Sequence, residues 1–214
     1  MKLIPALSVR GGEAVSREGE GYAPLSMGGS ATEILRALAA AHDTVLVLDL
    51  DAIEGREIQF RLLRQMSEED CDLWLDAGID GPNALYDPFI AGAVRIVLGT
   101  KRLTSLDAVV KIIELSEDVL PSLEFHDGML LWGDAGHPDP HDLLSFMQEA
   151  GYKEVMVAEL GAAPEISRNA AAAAAEMGFA VYVGGALNPF ASELKAVAKI
   201  VSASRVLEGM DEGA

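Results

Sequence analysis

The chain has 214 residues, half of them hydrophobic, with 34 acidic against 16 basic side chains and a net charge of −18. That field repels nucleic acid and anionic membranes, and no apolar run approaches the roughly 18–20 residues that span a bilayer. The single cysteine, Cys71, leaves no internal disulfide and fits a cytoplasmic setting, and the amino terminus carries no charged-then-apolar leader.

Strand and helix patterns alternate along the chain. Leu3 to Val9 reads as a buried strand opening into a loop at Arg10-Gly11-Gly12. Pro5 within it needs a gap in the ladder, because proline has no N–H to donate. Gly19 to Gly29 is glycine-rich and reads as a mobile loop. Ser30 or Thr32 caps a helix to about Ala41, with Ile34, Leu35 and Leu38 at helical spacing. Strands are predicted at Thr44–Leu50, Asp72–Ile79 and Arg95–Leu98, separated by helices at Glu57–Met66 and around Asn83–Ile90. Ser105 caps a periodic helix carrying Val109, Ile112 and Ile113.

The second half continues in the same way. Strands are predicted at Leu120–Phe125, Val155–Leu160 and Ala180–Val183, and helices at Pro138–Ala150, Ala170–Met177 and Pro189–Ile200. About seven strand-plus-helix units demand a parallel sheet, and closure into a (β/α)8 barrel is its natural form, as one domain over residues 1–214. An open doubly wound sheet is the alternative, but no G-x-G-x-x-G follows the first strand. Val201–Leu207 is the candidate eighth strand, and nothing after Glu208 forms an eighth helix. Strand surface left bare there would call for a second subunit, so a homodimer or larger assembly is expected.

In such a barrel, function sits at the C-terminal ends of the strands. Placed there are Ser8, Arg10, Asp49, Asp51, Asp76, Thr100, Lys101, Glu124, His126, Glu159 and the pair Gly184-Gly185. Five carboxylates on one rim suit acid–base chemistry, since like charges held close push pKa values apart. The competing reading is that some of them cap the following helix. His126 is expected on the helix side of its strand. His137-Pro138-Asp139-Pro140-His141 reads as a loop or helix N-cap, and neither a metal nor a cofactor is expected. Cys71 reads as an inert thiol.

Ile4-Pro5-Ala6-Leu7-Ser8-Val9-Arg10-Gly11-Gly12 resembles the first strand of the phosphoribosyl-isomerase family of histidine biosynthesis, the HisA/HisF group. Similar segments follow in family order: Asp49 to Gly55, Asp76 to Asp80, Val97-Leu98-Gly99-Thr100, Ser122 to Gly128 and Val183-Gly184-Gly185. The resemblance implies a TIM barrel acting on a small anionic, phosphorylated metabolite. In the family, aspartates at the ends of the first and fifth strands act as base and acid. Those positions here are Ser8 and Glu124. Serine cannot serve as the base unaided, so the histidine-pathway isomerisation itself is not expected.

Glu124, with Asp49 or Asp51 as partner, is the expected acid–base set. The resemblance also implies phosphate contacts at Gly99, Thr100, Gly184 and Gly185, with Arg10 or Lys101 supplying charge. Asp76 and Asp80 occupy the opposite phosphate position and disfavour an anion there. The Asp49–Gly55 and Ser122–Gly128 segments look most like a divergent branch of the family found in methanogens and in bacteria with methanopterin-linked one-carbon metabolism. A catalytically inactive barrel serving binding or assembly is the alternative.

Overall fold

The computed structural model describes residues 1–18, 21–25, 29–103, 105–133 and 138–209. In chain order the elements are β1 (Lys2–Arg10), β2 (Glu13–Glu18), β3 (Gly21–Pro24), α1 (Ala31–Ala39), β4 (Thr44–Asp49), α2 (Leu50–Ile53) and α3 (Phe60–Met66). There follow β5 (Asp72–Asp76), α4 (Tyr86–Ile90), β6 (Arg95–Gly99), α5 (Leu106–Leu115), β7 (Val119–His126), β8 (Met129–Leu130) and α6 (Pro140–Glu149). The chain continues through β9 (Glu154–Glu159), α7 (Glu165–Glu176), β10 (Ala180–Gly185), β11 (Ala198–Ser202) and α8 (Ala203–Leu207). Short 3-10 turns cover Pro82–Leu85, Thr100–Arg102 and Asn188–Phe190.

The strand order is β11-β10-β9-β7-β6-β5-β4-β1, and β11 also pairs with β1, so the order closes on itself. This is the α/β parallel-barrel class that the alternating pattern predicts. The chain divides into two compact units. One comprises Ile4–Gly78, Tyr86–Ile96 and the segment from Val201; the other comprises Met1–Leu3, Ile79–Leu85 and Val97–Ile200.

In the unit containing β4 and β5, the register sets Ser8, Leu48 and Asp76 side by side on one face, and Val9 and Asp49 on the other. The Asp49 face is the helix side, because the Asp49 carboxylate accepts from the Ala52 N–H and so caps α2. α1 is closed by a capping box between Ser30 and Glu33, which fixes Ser30 as its cap. Such a box contributes about 1 kcal/mol to a helix terminus. Its Ile34, Leu35 and Leu38 are buried as their spacing requires.

The glycine pair after β1 is a hairpin turn. Gly11 and Gly12 have φ of 57° and 86°, the positive values that a two-residue type I′ turn needs at both central positions. Arg10 pairs with Glu13 across it. β2 and β3 form an antiparallel ribbon beyond, where the sequence suggested a loop. Residues 19–20 and 26–28 of that predicted loop lie outside the described residues.

In the other unit, Glu124, Ala158, Gly184 and Ile200 occupy one register row on one face; Phe125, Glu159 and Gly185 lie in a row on the other. Ser167 of α7 reaches the Glu159 carboxylate, which marks that second face as the helix side. α7 packs through Ala170, Ala171 and Ala174, all buried. Small side chains there let a helix approach a sheet closely.

Two expectations for the C-terminal end are corrected. Pro189–Ile200 is not a helix: a 3-10 turn and successive turns lead to the strand at Ala198–Ser202, earlier than the predicted Val201–Leu207. A short helix, α8, follows that strand. Nor is β10 bare where the long crossover helix is absent. Leu187, Ala191 and Leu194 of the irregular segment are buried, and so are Val181 and Val183 beneath them.

Candidate functional site

The strand ends carry the expected polar residues, but face parity sorts them into two groups. Asp49 and Glu159 lie on the helix side of their strands, and their oxygens are occupied by the protein's own donors. Asp49 is fully buried and accepts from the Ala52 N–H at 3.2 Å, the Gln59 N–H at 2.7 Å and Gln59 Nε2 at 2.9 Å. Gln59 also donates to the Val9 carbonyl and accepts from the Gly12 N–H. Asp49 and Gln59 together therefore bind the ends of β1 and β4 to the start of α3.

Asp51 is buried as well. It accepts from the Gly11 N–H at 2.7 Å and pairs with the Arg56 guanidinium. Arg56 extends to Glu54, and Glu54 pairs with Arg10 at 2.8 Å. The Arg10 guanidinium also lies over the Tyr22 ring, 5.4 Å from its centroid. Arg10, expected to face an anion, is thus engaged in a charge network that pins the hairpin turn. Asp49 and Asp51, expected as acid–base partners, are buried and act as anchors for the ends of β1, β4 and α3, holding these donors in place.

Glu159 is 1% exposed. Its Oε1 accepts from the N–H groups of Asp127 (3.0 Å) and Gly161 (2.8 Å), and its Oε2 from the Gly128 N–H (3.3 Å) and Ser167 Oγ (3.0 Å). Four donors from the β7–β8 turn, the loop after β9 and α7 converge on one carboxylate. Next to it, Gly185 has φ of 63°, and a Cβ built there would stand 1.9 Å from the Glu159 carbonyl oxygen. Glycine is obligatory at that position for packing alone. Gly184 differs: a Cβ there meets Ile200 and Ala158 at the ordinary distances of 3.5 and 3.6 Å. Gly184 also lies inside the ladder, paired with Ala158 on one side and Ile200 on the other. Its backbone polar groups point toward neighbouring strands in the plane of the sheet.

Glu124 belongs to the second group. It lies on the face away from the helices, retains partial exposure, and follows Ser122 on the same face by the two-residue period of a strand. His126 shares that face too, contrary to the sequence expectation, since residues i and i+2 of a strand point the same way; its Nδ1 is 3.5 Å from an Asp127 oxygen. The end of β6 is built against Glu124: Thr100 Oγ1, fully buried, accepts from the Glu124 N–H at 3.0 Å. The Lys101 N–H donates to Glu124 Oε2 at 3.3 Å. The donor turn at Gly99-Thr100-Lys101 therefore already holds an anion, the glutamate itself. The Lys101 side chain is exposed. In the other unit Asp76, 5% exposed, stands on the face of Ser8 and accepts from the Gly78 N–H.

Three further residues were not singled out from the sequence. Ser122 is fully buried and its Oγ has no hydrogen-bond partner. Asn188 donates to the Ile200 carbonyl at 2.8 Å while its buried Oδ1 is unpartnered. Gln59 joins the Asp49 carboxylate, the Val9 carbonyl and the Gly12 N–H through four hydrogen bonds. Period-2 counting from Glu124 finds Ser122 in the sequence; nothing local marks the other two. Trp132 is buried within a loop that Leu131 and Gly133 tie to Glu124 and Leu103 through backbone bonds. Asp139 caps α6, accepting from His141 and Asp142 N–H, whereas His137 lies outside the described residues. Among the described residues no group of three His, Cys, Asp or Glu is arranged to hold a metal, and no helix is long and apolar enough to cross a membrane.

A closed parallel order of eight strands, with polar residues gathered at strand ends, defines a TIM barrel. The model of the family described as "Histidine biosynthesis protein" matches residues 2–136, more than half of the chain. The chain belongs to that family, the HisA/HisF-like barrels. No curated protein matches it.

Proposed function

We propose that this protein is a HisA/HisF-related enzyme that uses Glu124 as its proton-transfer group on a small metabolite, in an isomerase-like or lyase-like reaction distinct from the histidine-pathway isomerisation. One observation carries the reading. Of the candidate strand-end carboxylates, Glu124 alone combines partial exposure with the face away from the helices. It also stands at the position matching the family's fifth-strand aspartate. A carboxylate so placed is within reach of solvent and substrate, as a general acid or base must be. Ser8 at the first-strand position supports a chemistry other than the family's two-aspartate reaction.

The Asp49–Gly55 and Ser122–Gly128 segments support a place in the methanogen and methanopterin-linked branch, and hence in one-carbon cofactor metabolism. The family resemblance supports a phosphorylated substrate. It supports phosphate contacts at Gly99, Thr100, Gly184 and Gly185, with the Lys101 N–H shared with Glu124. The single Cys71 supports a cytoplasmic setting, and the unbroken alternation of strand and helix supports one domain over residues 1–214. The missing long helix after the last strand supports a homodimer or larger assembly with the first and last strands near its interface; light scattering over a range of concentrations tests it, and a monomeric mass throughout would refute it.

The test of the main reading is genetic and metabolic. A strain lacking this gene should accumulate the substrate, and the wild-type protein should clear it. A folded Glu124→Gln variant should not, because it keeps the shape and loses the titrating proton. Clearance by Glu124→Gln at the wild-type level would sink the acid–base role. The inactive-barrel reading, favoured by Ser8 and by the engagement of Arg10 with Glu54, would then stand ahead.

A further inference from the structure

β7 ends in Glu124-Phe125-His126, and the two-residue period of a strand puts Glu124 and His126 on one face, away from the helices. With a rise of about 3.3–3.4 Å per residue, their α-carbons stand roughly 6–7 Å apart. That spacing suits two groups that reach different atoms of one small molecule. Both are partly exposed, whereas Ser122, one step further back on the same face, is buried. His126 leaves 45% of its side chain accessible.

The imidazole has a carboxylate built beside it. Asp127 has φ of 48° and Gly128 φ of 78°, the two positive values of a type I′ turn between β7 and β8. The turn accounts for the Asp127 backbone but not for its charge, since asparagine suits the same position. The carboxylate is held from its far side. Oδ1 accepts from the Ala162 N–H at 2.8 Å, and the Asp127 N–H is itself fixed by Glu159. Gly161 makes room, because a Cβ there would collide with the Asp127 carboxyl group. The other oxygen, Oδ2, lies 3.5 Å from His126 Nδ1. A carboxylate at that nitrogen keeps the proton on Nδ1 and leaves the lone pair on Nε2. Such contacts are often long until substrate is bound. Glu124 and Asp127 are the charged groups next to His126 on its own strand and turn. Met129, its register partner on β8, and Leu160, just past β9, are apolar.

An isomerase-like or lyase-like reaction removes a proton at one atom and delivers one at another. Ser8, at the family's base position, cannot remove it unaided, and Glu124 is a single group. We propose that His126 is a second catalytic residue, a general base acting through Nε2, with Asp127 as its positioning residue and Glu124 as the acid. The inference deepens the proposed function and rests on it for the role of Glu124. Nε2 takes a proton from the substrate, and His126 becomes imidazolium. Glu124 in its acid form gives a proton to another atom of the substrate and becomes carboxylate. Exchange with water resets both groups, so no net proton is gained or lost.

The test uses purified protein and the metabolite that accumulates in the strain lacking this gene. A folded His126→Ala variant should consume it at least about 100-fold more slowly, the size of a lost general base. Added imidazole should restore much of the rate, a rescue that a merely structural histidine would not show. Asp127→Asn keeps the turn and the bond to Ala162, so it should lower kcat several-fold with KM and melting temperature unchanged. Glu124→Gln should be inactive and indifferent to imidazole. Consumption by His126→Ala at the wild-type rate, or a loss that imidazole does not restore, would overturn the role of His126 and leave that of Glu124 standing. Full activity of Glu124→Gln beside an imidazole-rescued His126→Ala would keep His126 as the base and remove Glu124.

Discussion

Replacing Glu159 separates a carboxylate that builds the fold from one that does chemistry. Each of its oxygens receives two donors: Asp127 and Gly161 N–H on one, Gly128 N–H and Ser167 Oγ on the other. In Glu159→Gln one oxygen becomes an NH2. In the better orientation the NH2 faces Ser167, whose hydroxyl can turn to accept, and Gly128 loses its partner. The variant therefore abandons one buried donor and converts the remaining charge-assisted bonds to neutral ones. Hydrogen bonds to charged groups contribute about 1.5–3 kcal/mol and an orphaned buried donor costs about 1–3, so the expected loss is about 2–4 kcal/mol. At about 2–4 °C per kcal/mol for a chain of this size, the melting temperature should fall by roughly 5–15 °C. Urea unfolding gives the free energy, and amide exchange at Asp127, Gly128 and Gly161 reports whether the loss is local. A change below about 0.5 kcal/mol, the range of ordinary surface substitutions, would refute the account and return Glu159 to the candidates for chemistry.

Gly185→Ala should be strongly destabilising, by more than about 3 kcal/mol in urea unfolding, because its Cβ would collide with the Glu159 carbonyl and φ is positive; Gly184→Ala should stay within about 1 kcal/mol. Tyr152 donates to the Val109 carbonyl, and burial raises its phenol well above the ordinary value of 10. The folded state therefore keeps a proton that the unfolded chain releases, so the Tyr152 contribution is complete below about pH 10 and is lost as the pH rises beyond it. Absorbance titration of tyrosinate should show one group missing from the alkaline step, and Tyr152→Phe should reduce the alkaline loss of stability. Burial, and after it Asp72, Glu69 and Asp70, raise the Cys71 thiol, so its reaction with a disulfide reagent at neutral pH should be slower than that of a free cysteine thiol, and Cys71→Ser should leave stability nearly unchanged.

The alternation of strand and helix was legible because each strand is a short apolar run bounded by turn residues, and most helices carry a buried stripe. The segment before β11 was misread for a definite reason. Leu187, Ala191 and Leu194 recur at helical spacing and all are buried, yet they reach the interior through a 3-10 turn and successive turns, with Lys195 at φ of 53°. Periodicity reports which residues are inside, not which backbone puts them there. The hairpin after β1 was missed because Gly11-Gly12, flanked by a charged residue on each side, lacks an apolar alternation to announce the second strand.

The strand-end carboxylates were legible in the sequence and the donors that surround them were not, and the physics of strand ends explains why. Where a strand gives way to a loop, several N–H groups leave the ladder together and need acceptors. A carboxylate at the last strand position supplies two oxygens with about four lone-pair sites, enough to collect a whole turn. Asp49 does this for α2 and the start of α3, and Glu159 for the β7–β8 turn and the loop after β9. Acid residues at the rim of a parallel barrel are thus wanted by the fold itself, and their number is no measure of chemistry. Parity sorts them: Asp49 and Glu159 on the helix side collect three and four donors, whereas Glu124, on the opposite side, keeps partial exposure while accepting from the Lys101 N–H. Counted this way, the sequence reduces five candidates to Asp76 and Glu124, each on the face away from the helices in its own unit. Of the two, Glu124 keeps partial exposure, whereas Asp76 is buried.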